Sequence, residues 1–379
     1  MSKIRLSKSC IGEAEKEAVM RVLNRGFFGM GREVKSFEDP LTNFFGRPAL
    51  CVVNGTAALH LALQATGIGD GDEVLVQSIT YVASFQAIAA TGAKPVPCDI
   101  IATTAGVDLS DAKQKITSKT KAIMPVHYAG CVGNLDAVYD FAHSNGLRVI
   151  EDAAHAFGTT YNNKKVGSFG DIACFSFDGI KNITSGEGGC IVTDDQKVLE
   201  RIKDARLLGV EGDTDKRFSG KRSWDPDVSN QGWRYHMSDL MAAIGKEQLN
   251  NFEYHKTRRQ ELAKCYVEHL SEMPSISIFD HDYDNVVPHI FVILLEEDID
   301  RESVMNFLNE HDVPTGIHYK PNHLLTYFAD SIATKFPITD KLYPRMLTLP
   351  LHPELSFEDI ANIVKLLKQG IENVKTASG

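Results

Sequence analysis

Two short stretches of the 379-residue chain hold side chains that could do chemistry. The first, EDAAHAFG, puts Glu151 and Asp152 directly after the apolar run Leu147–Ile150. The second, FSFDGIKNITSGEGG, carries Lys181 just past another apolar run and ahead of Gly186, Gly188 and Gly189. A lysine at the end of a buried strand loses part of its hydration, which lowers its pKa and makes its amine nucleophilic. A carboxylate upstream of such a lysine makes the pair that pyridoxal phosphate requires. The lysine forms an imine, and the carboxylate keeps the pyridine nitrogen protonated so that the ring can accept electrons. These residues alone leave the matter open, because strand-end Asp and Lys occur in many α/β proteins and a solvated Lys181 fits equally well.

A third stretch, Asn54-Gly55-Thr56-Ala57, joins an apolar run to a helical pattern at Thr56–Gln64. The first N–H groups of a helix bind phosphate, and glycine lets the backbone come close to it. The plainer reading is an N-cap, which Asn54 or Thr56 would supply. A nucleotide loop is a poorer match: there is no GxxxxGK[ST], and no GxGxxG opens a helix after the first strand.

The elements that must position these residues alternate up to about residue 205. Leu50–Val53, Glu73–Val76, Lys94–Pro97, Lys121–Pro125, Arg148–Glu151, Asp171–Phe177 and Gly189–Thr193 read as strands. Helical patterns fall between them at Thr56–Gln64, Ser84–Thr91, Leu135–Asn145 and Val198–Arg206. This alternation predicts an α/β unit with a largely parallel sheet, whose ligands bind beyond the carboxyl ends of the strands. Gly209–Gly232 reads as a long mobile loop, and helices resume at Ser238–Asn250 and Glu253–His269. Beyond Pro274, strands at Ser275–Phe279, His289–Leu294 and around Thr315–Tyr319, with helices at Arg301–His311 and Phe357–Glu372, predict a smaller α+β unit. The expected division is a large domain over 1–252, including an N-terminal arm, and a small one over 253–379.

Composition narrows the class. Hydrophobic residues at 43% and charged residues at 24% suit an ordinary globular protein. A formal net charge of −10 argues against a nucleic-acid partner, which needs a cationic surface, but leaves room for an anionic small molecule in a local field. No apolar run is long enough to span a bilayer, and MSKIRLSKSC lacks the apolar stretch of a signal peptide. Seven scattered cysteines, with no CxxC and no Cys/His metal spacing, predict neither disulfides nor a metal site; the expected location is the cytosol.

The segments NGTAALHLAL, SITYVASFQAI, PVHYAG, EDAAHA, GSFGDIACFSFDGIKNITSGEGG, YHMSDLMAAIG and GIHYKPNH occur in this order. Together they resemble the DegT/DnrJ/EryC1/StrS family of pyridoxal-phosphate-dependent aminotransferases, which act on nucleotide-linked keto-sugars. The likeness runs from GFFGMGREVKSFE to LPLHPELS. It implies the fold type I, aspartate-aminotransferase-like architecture: a mixed, mostly parallel sheet with helices on both faces and a smaller C-terminal α+β domain.

The resemblance also implies roles. Lys181 would carry pyridoxal 5'-phosphate, with Asp152 on the pyridine nitrogen. Tyr81 would stack on the ring, and His155 would lie near its hydroxyl. Gly55, Thr56 and Ser176 would bind the phosphate, and Ala57 would belong to the cofactor site with them. Ser176 alternates with Phe175 and Phe177 along a strand, so its hydroxyl faces away from both rings. Where the family often has Gly-Tyr-Asn-Tyr-Arg-Met, this chain reads Gly232-Trp233-Arg234-Tyr235-His236-Met237. Arg234 thus replaces an asparagine that reaches the cofactor phosphate of a neighbouring subunit, and a guanidinium can serve there bidentately. That role implies a homodimer with shared active sites; contact with the substrate diphosphate, or a surface position, is the alternative.

Lys320, His323 and Phe28 fall at substrate-binding positions, with a solvated loop or a packing role as the plainer readings. Phe27 is a further packing or substrate candidate, and Lys221 and Arg222 could offset a diphosphate. The implied donor is L-glutamate, with pyridoxamine 5'-phosphate as the intermediate form. The implied acceptor is a nucleotide-diphosphate keto-sugar: a dTDP-4-keto-6-deoxyhexose aminated at C4 for surface polysaccharide such as O-antigen, or a C3 or UDP/GDP alternative. A lysine at 181, where the family's dehydratase branch has histidine, favours transamination. A non-catalytic cofactor-binding protein and a nucleotide-dependent oxidoreductase are the other classes.

Overall fold

The computed structural model describes residues 4–222, 224–329 and 335–378. The apolar runs of the first 205 residues form one seven-stranded sheet. Its strands are β1 (Ala49–Val52), β2 (Glu73–Gln77), β3 (Lys94–Cys98), β4 (Thr120–Met124), β5 (Arg148–Asp152), β8 (Ile172–Ser176) and β9 (Gly189–Thr193). A two-residue hairpin, β6 (Thr160–Tyr161) and β7 (Lys164–Lys165), lies between β5 and β8. The spatial order is β1-β9-β8-β5-β4-β2-β3. Strands β3, β2, β4, β5 and β8 pair in parallel, while β9 runs antiparallel to both β8 and β1. Every residue of β1, β8 and β9 is buried, as strands covered on both faces require.

Helices fill the crossovers. α3 (Gly55–Ala65) is buried from Ala57 to Leu63 without a polar face, so it is a core helix rather than a surface one. α4 (Val82–Ala90), α5 (Leu109–Gln114), α6 (Leu135–Ser144) and α7 (Gln196–Ala205) follow the sheet, and Asp195 caps α7 through the N–H groups of Lys197 and Val198. Two helices precede the sheet that the residue patterns did not bring out, α1 (Glu13–Arg25) and α2 (Arg32–Phe45). α2 buries Val34, Phe37, Leu41 and Phe45 at helical spacing; Pro40 in its interior reads as a breaker and hides the pattern. The segment expected as loop at 209–232 contains α8 (Asp213–Phe218), and the bridges Val210↔Val228 and Leu207↔Arg234 tie its ends together. Ser223 of that segment lies outside the described residues.

After α9 (Asp239–Asn250) and α10 (Phe252–Leu270), a three-stranded antiparallel sheet forms from β10 (Ile276–Ile278), β11 (Phe291–Leu295) and β12 (Met346–Leu349). α11 (Arg301–Glu310) and α14 (Phe357–Ser378) pack with α10 against it through Leu262, Tyr266, Phe291, Ile293, Leu347 and Ile363. The strand expected at Thr315–Tyr319 is absent apart from a single bridge, Gly316↔Thr348, and β12 takes the third place in the sheet. The reason is that this segment is held by other bonds: the Tyr128 hydroxyl donates to the His318 carbonyl, and His318 Nδ1 meets Thr348 Oγ1 at 2.9 Å. The short helices α12 (Thr326–Ala329) and α13 (Pro337–Leu342) complete this region.

One apolar cluster joins the two sheets, with Ile79, Ile100, Tyr128 and Ala129 meeting Phe279, Ile290, Val292 and Met346. No helix among the described residues is long and apolar enough to cross a membrane, and no group of three His, Cys, Asp or Glu side chains among them is placed to hold a metal ion.

Candidate active site

The carboxyl ends of β1, β2, β4, β5 and β8 open into a cavity of about 370 Å³. That volume lies in the range of small-molecule sites, roughly 300–1,000 Å³. Asp152 is the last residue of β5 and is buried there. Its Oδ2 accepts the Ser84 hydroxyl at 2.6 Å and its Oδ1 accepts the Ala154 N–H at 3.2 Å. Neighbouring strand residues face opposite ways, so the acid pair divides. Asp152 lines the cavity, whereas Glu151 is sealed behind the sheet, bonded to His127 Nε2 at 2.7 Å and to the Tyr139 hydroxyl at 2.5 Å.

Lys181 sits in the turn that follows β8, its N–H donating to the Asp178 carbonyl at 3.1 Å. Loss of hydration pushes its pKa down to about 8, against the opposing pull of Asp178 and Asp152 and with a smaller push from Arg259. Its Nζ lies 3.2 Å from His289 Nε2. The two groups of an imine-forming site, a depressed lysine and a buried carboxylate, therefore face one space.

The opposite end of the cavity is the start of α3. Asn54 caps that helix by accepting the Ala57 N–H at 2.8 Å. The N–H groups of Gly55 and Thr56 belong to the first turn, whose donors have no partner within the helix. A Cβ at Gly55 would lie 2.8 Å from Ser176 Cβ, closer than packed carbons approach, so only glycine lets the helix start rest on Ser176. Two backbone donors and a hydroxyl thus converge, a set suited to a phosphate. The two readings of Asn54-Gly55-Thr56 are compatible: the cap is made, and it leaves the N–H groups of Gly55 and Thr56 open. Ala57 stands apart from these donors, since its N–H is spent on the cap and its buried side chain does not line the cavity.

The walls are aromatic. Tyr81, at the start of α4, is 57% exposed and its ring centroid is 5.4 Å from that of Tyr319. His155 Nδ1 accepts the Ala129 N–H at 3.3 Å, so the neutral ring carries its proton on Nε2, toward the Tyr319 hydroxyl at 3.1 Å. Burial, with Lys181 and His318 adding to it, holds the His155 pKa well below its ordinary value.

Several expected residues are elsewhere. Arg234, Lys320, Lys221 and Arg222 are exposed and do not line the cavity, and neither do Phe27 and Phe28. His323 does not line the cavity either: its Nδ1 lies 2.5 Å from Ser78 Oγ and its Nε2 3.1 Å from Asp340 Oδ1, with Phe336 stacked on the ring at 4.2 Å. Ser78 is fully buried, so this Ser–His–Asp chain is a clamp between the end of β2 and the region around α13, not a nucleophile. Conversely, Thr80, Tyr128, Asp178, Glu187, His289, His318 and Tyr319 line the cavity without having been singled out. His318 and Tyr319 belong to the quoted GIHYKPNH; His289 is an isolated histidine before an apolar run and gives no local signal. Lys181 is the only Lys or Arg among the lining residues, against Asp152, Asp178 and Glu187.

The same architecture recurs in known proteins. The family model described as the DegT/DnrJ/EryC1/StrS aminotransferase family matches residues 9–368. The spore coat polysaccharide biosynthesis protein SpsC of Bacillus subtilis is 35% identical over 367 residues, covering 94% of each chain. The structure of Spr1654 of Streptococcus pneumoniae in its PMP-form superposes with a TM-score of 0.90 at 30% identity over 99% of both chains. PseC of Helicobacter pylori, an aminotransferase involved in pseudoaminic acid biosynthesis, gives a TM-score of 0.90 at 26% identity over 98% of this chain and 100% of its own.

Proposed function

We propose a substrate class and a role for each residue from one premise: the chain belongs to the DegT/DnrJ/EryC1/StrS aminotransferase family and is a pyridoxal-phosphate-dependent aminotransferase. It moves the amino group of L-glutamate to a keto-deoxysugar carried on a nucleoside diphosphate. The specific acceptor proposed is dTDP-4-keto-6-deoxyglucose, aminated at C4 for a surface polysaccharide. SpsC and PseC, named for a polysaccharide and a sugar acid, support the sugar class. The observation that carries the reading is the pairing of Lys181 with Asp152 across one cavity whose far end offers the N–H groups of Gly55 and Thr56.

Pyridoxal phosphate, when bound, supplies the electron sink that makes a carbon-bound proton acidic. Asp152, fixed by Ser84, holds a proton at the ring nitrogen. Gly55, Thr56 and Ser176 bind the phosphate. Tyr81 would cover the ring, and His155, whose Nε2 now meets the Tyr319 hydroxyl at 3.1 Å, would lie near the ring hydroxyl. Lys181, once released as a free amine, takes the proton from the α-carbon of glutamate. In the second half-reaction it moves a proton at the sugar carbon that receives nitrogen. Its lowered pKa makes about a tenth of the free amine neutral at pH 7, against well under a thousandth for an ordinary lysine.

The partner subunit completes the site in this reading. A phosphate or diphosphate finds no second Lys or Arg among the lining residues, while Arg234 stands exposed and outside the cavity of its own chain. A homodimer that places Arg234 in the neighbouring cavity answers both facts. The test is turnover of a panel of dTDP-, UDP- and GDP-linked keto-sugars with glutamate, with NMR locating the new C–N bond. Amination of the dTDP-4-keto-sugar at C4 is expected; preference for a 3-keto or another nucleotide rejects the specific acceptor, and no turnover of any keto-sugar rejects the class.

A further inference from the structure

His289 touches Lys181 and has no part in the roles assigned above. We propose that it is a positioning residue for the lysine amine: its Nε2 takes one N–H of the free amine and thereby aims the remaining lone pair at the substrate carbon. This rests on the reading of Lys181 as the base that moves the carbon-bound proton.

The geometry is specific to this ring. Nε2 lies 3.2 Å from Lys181 Nζ, and the side chain is buried. The neighbouring imidazoles are occupied otherwise: His155 by Ala129 and Tyr319, and His318 Nδ1 by Thr348. His289 Nδ1 has no protein partner. The residue borders a cavity of about 10 Å³, lined also by Ser7 and Thr348, a volume close to that of a single water probe. A ring with its proton on Nδ1 presents a lone pair at Nε2, which is what an amine N–H needs. Burial, together with Lys181, His155, Arg259 and His318 around it, disfavours the imidazolium, so the ring accepts a hydrogen bond without competing for the proton.

The backbone holds the pair at a fixed separation. The buried Arg259 guanidinium donates to the carbonyls of Pro288 and His289 at 3.4 and 3.2 Å, and to that of Ile180 at 3.4 Å. Asn182 Nδ2 donates to the Val287 carbonyl at 3.1 Å. One arginine and one asparagine therefore tie the residues beside Lys181 to those beside His289. A lysine stem has several rotatable bonds, and orienting its amine reduces the search for a productive geometry.

The test compares His289→Leu, which removes the acceptor, with His289→Gln, which restores one near the Nε2 position. In the holoenzyme the glutamate half-reaction is followed with α-protio and α-deutero substrate. In cofactor-free protein, the pH midpoint for labelling Lys181 with an amine reagent is read by mass spectrometry. The Leu variant is expected to lose about 10–100-fold in kcat with KM within about threefold, and to show a larger isotope effect. Its labelling midpoint falls, because the ammonium loses a hydrogen-bond acceptor, and Gln recovers most of each change. An unchanged isotope effect and midpoint in His289→Leu, even with slower turnover, overturns the proposal. If Leu unfolds the protein, as circular dichroism would reveal, His289→Asn takes its place; its shorter amide should fall below Gln, and equal behaviour of the two is the refuting result. Wild-type behaviour of the His289 variants alongside an inert Lys181→Ala rejects this proposal alone, whereas normal transamination by Lys181→Ala rejects the parent reading.

Discussion

The inner side of the cavity is made from the carboxyl ends of five strands in one sheet, whereas its outer side draws on segments that share no sheet. Asp152, Ser176 and the Asn54-Gly55-Thr56 turn each sit at or beside a strand end, and hydrogen-bonded neighbours fix their positions. On the other side, Tyr319 and His318 come from an irregular segment, and His289 from the approach to β11. Phe28, Lys320 and Arg234 are exposed and outside the cavity. A site on strand ends is set by the fold, and a site on loops by contacts made one at a time. The cofactor side should therefore be rigid and intolerant of change, while the substrate side can vary its chemistry without disturbing the fold.

The sharpest break in that comparison is at Lys181. In the proposed reading Lys181→Ala removes both the imine-forming nitrogen and the base, so turnover should fall by at least about 10³-fold. The visible absorbance that pyridoxal phosphate acquires when bonded to a lysine should vanish with it. In the unmodified cofactor-free protein, the rate of cofactor uptake should rise with pH up to about 8 and then level. The sign follows from the lowered pKa: the neutral amine is the nucleophile, and its share grows until the ammonium is titrated away. Uptake that is flat between pH 6 and 8, or that still rises above pH 9, would contradict the geometry.

The same division explains what could be read from the amino-acid order. Lys181, Asp152, Gly55 and Ser176 are local features, each an apolar run followed by a residue of distinctive chemistry, and the cavity contains all four. β1 and β8, which lead into Gly55 and end at Ser176, are buried along their whole length and almost wholly apolar, so their existence was legible too. Ala57 falls outside the cavity lining for a reason of backbone detail: capping by Asn54 takes its N–H one residue past the donors left open. The strand expected at Thr315–Tyr319 failed because tertiary bonds from Tyr128 and Thr348 claim that backbone and side chain. His323 looked like a loop ligand, yet its partners, Ser78 and Asp340, lie 245 and 17 residues away, a distance no local pattern encodes.

Subunit mixing tests whether the outer side is shared. Arg234→Ala and Lys181→Ala chains, each weak or inert alone, should regain activity when co-refolded, because a mixed dimer would hold one site with Lys181 from one chain and Arg234 from the other. Arg234→Ala by itself is expected to raise the cofactor Kd or the sugar-nucleotide KM about tenfold, equivalent to about 1.4 kcal/mol. Which constant moves decides whether the guanidinium serves the cofactor phosphate or the substrate diphosphate. Absence of complementation in a verified mixed dimer would place Arg234 outside the site. On the inner side, Gly55→Ala should weaken cofactor binding by a comparable factor, since its new Cβ presses on Ser176 at 2.8 Å and must push the start of α3, with its two backbone donors, away from the Ser176 hydroxyl. Equilibrium dialysis of pyridoxal phosphate checks this, and wild-type affinity would show that the helix start can shift at no cost.

The smallest functional effect is expected at the clamp, where the two sides of the comparison meet. Ser78 lies at the end of β2, and its hydroxyl is spent on His323, which Asp340 holds in turn. Asn322 adds its N–H to the Ser78 carbonyl at 2.9 Å and its side-chain amide to the Thr80 carbonyl at 2.8 Å. Ser78→Ala deletes one buried hydrogen bond while leaving these backbone ties, so it should cost about 1–2 kcal/mol of stability. Chemical denaturation would read that loss, and the KM for sugar nucleotide should stay within twofold. A KM rise of tenfold without a stability change would return His323 to the substrate, and would mean that the outer wall rearranges when the sugar binds. A stability loss with unchanged KM instead fixes the segment after Tyr319 as scaffold, leaving specificity to Tyr319 and the other residues that line the cavity.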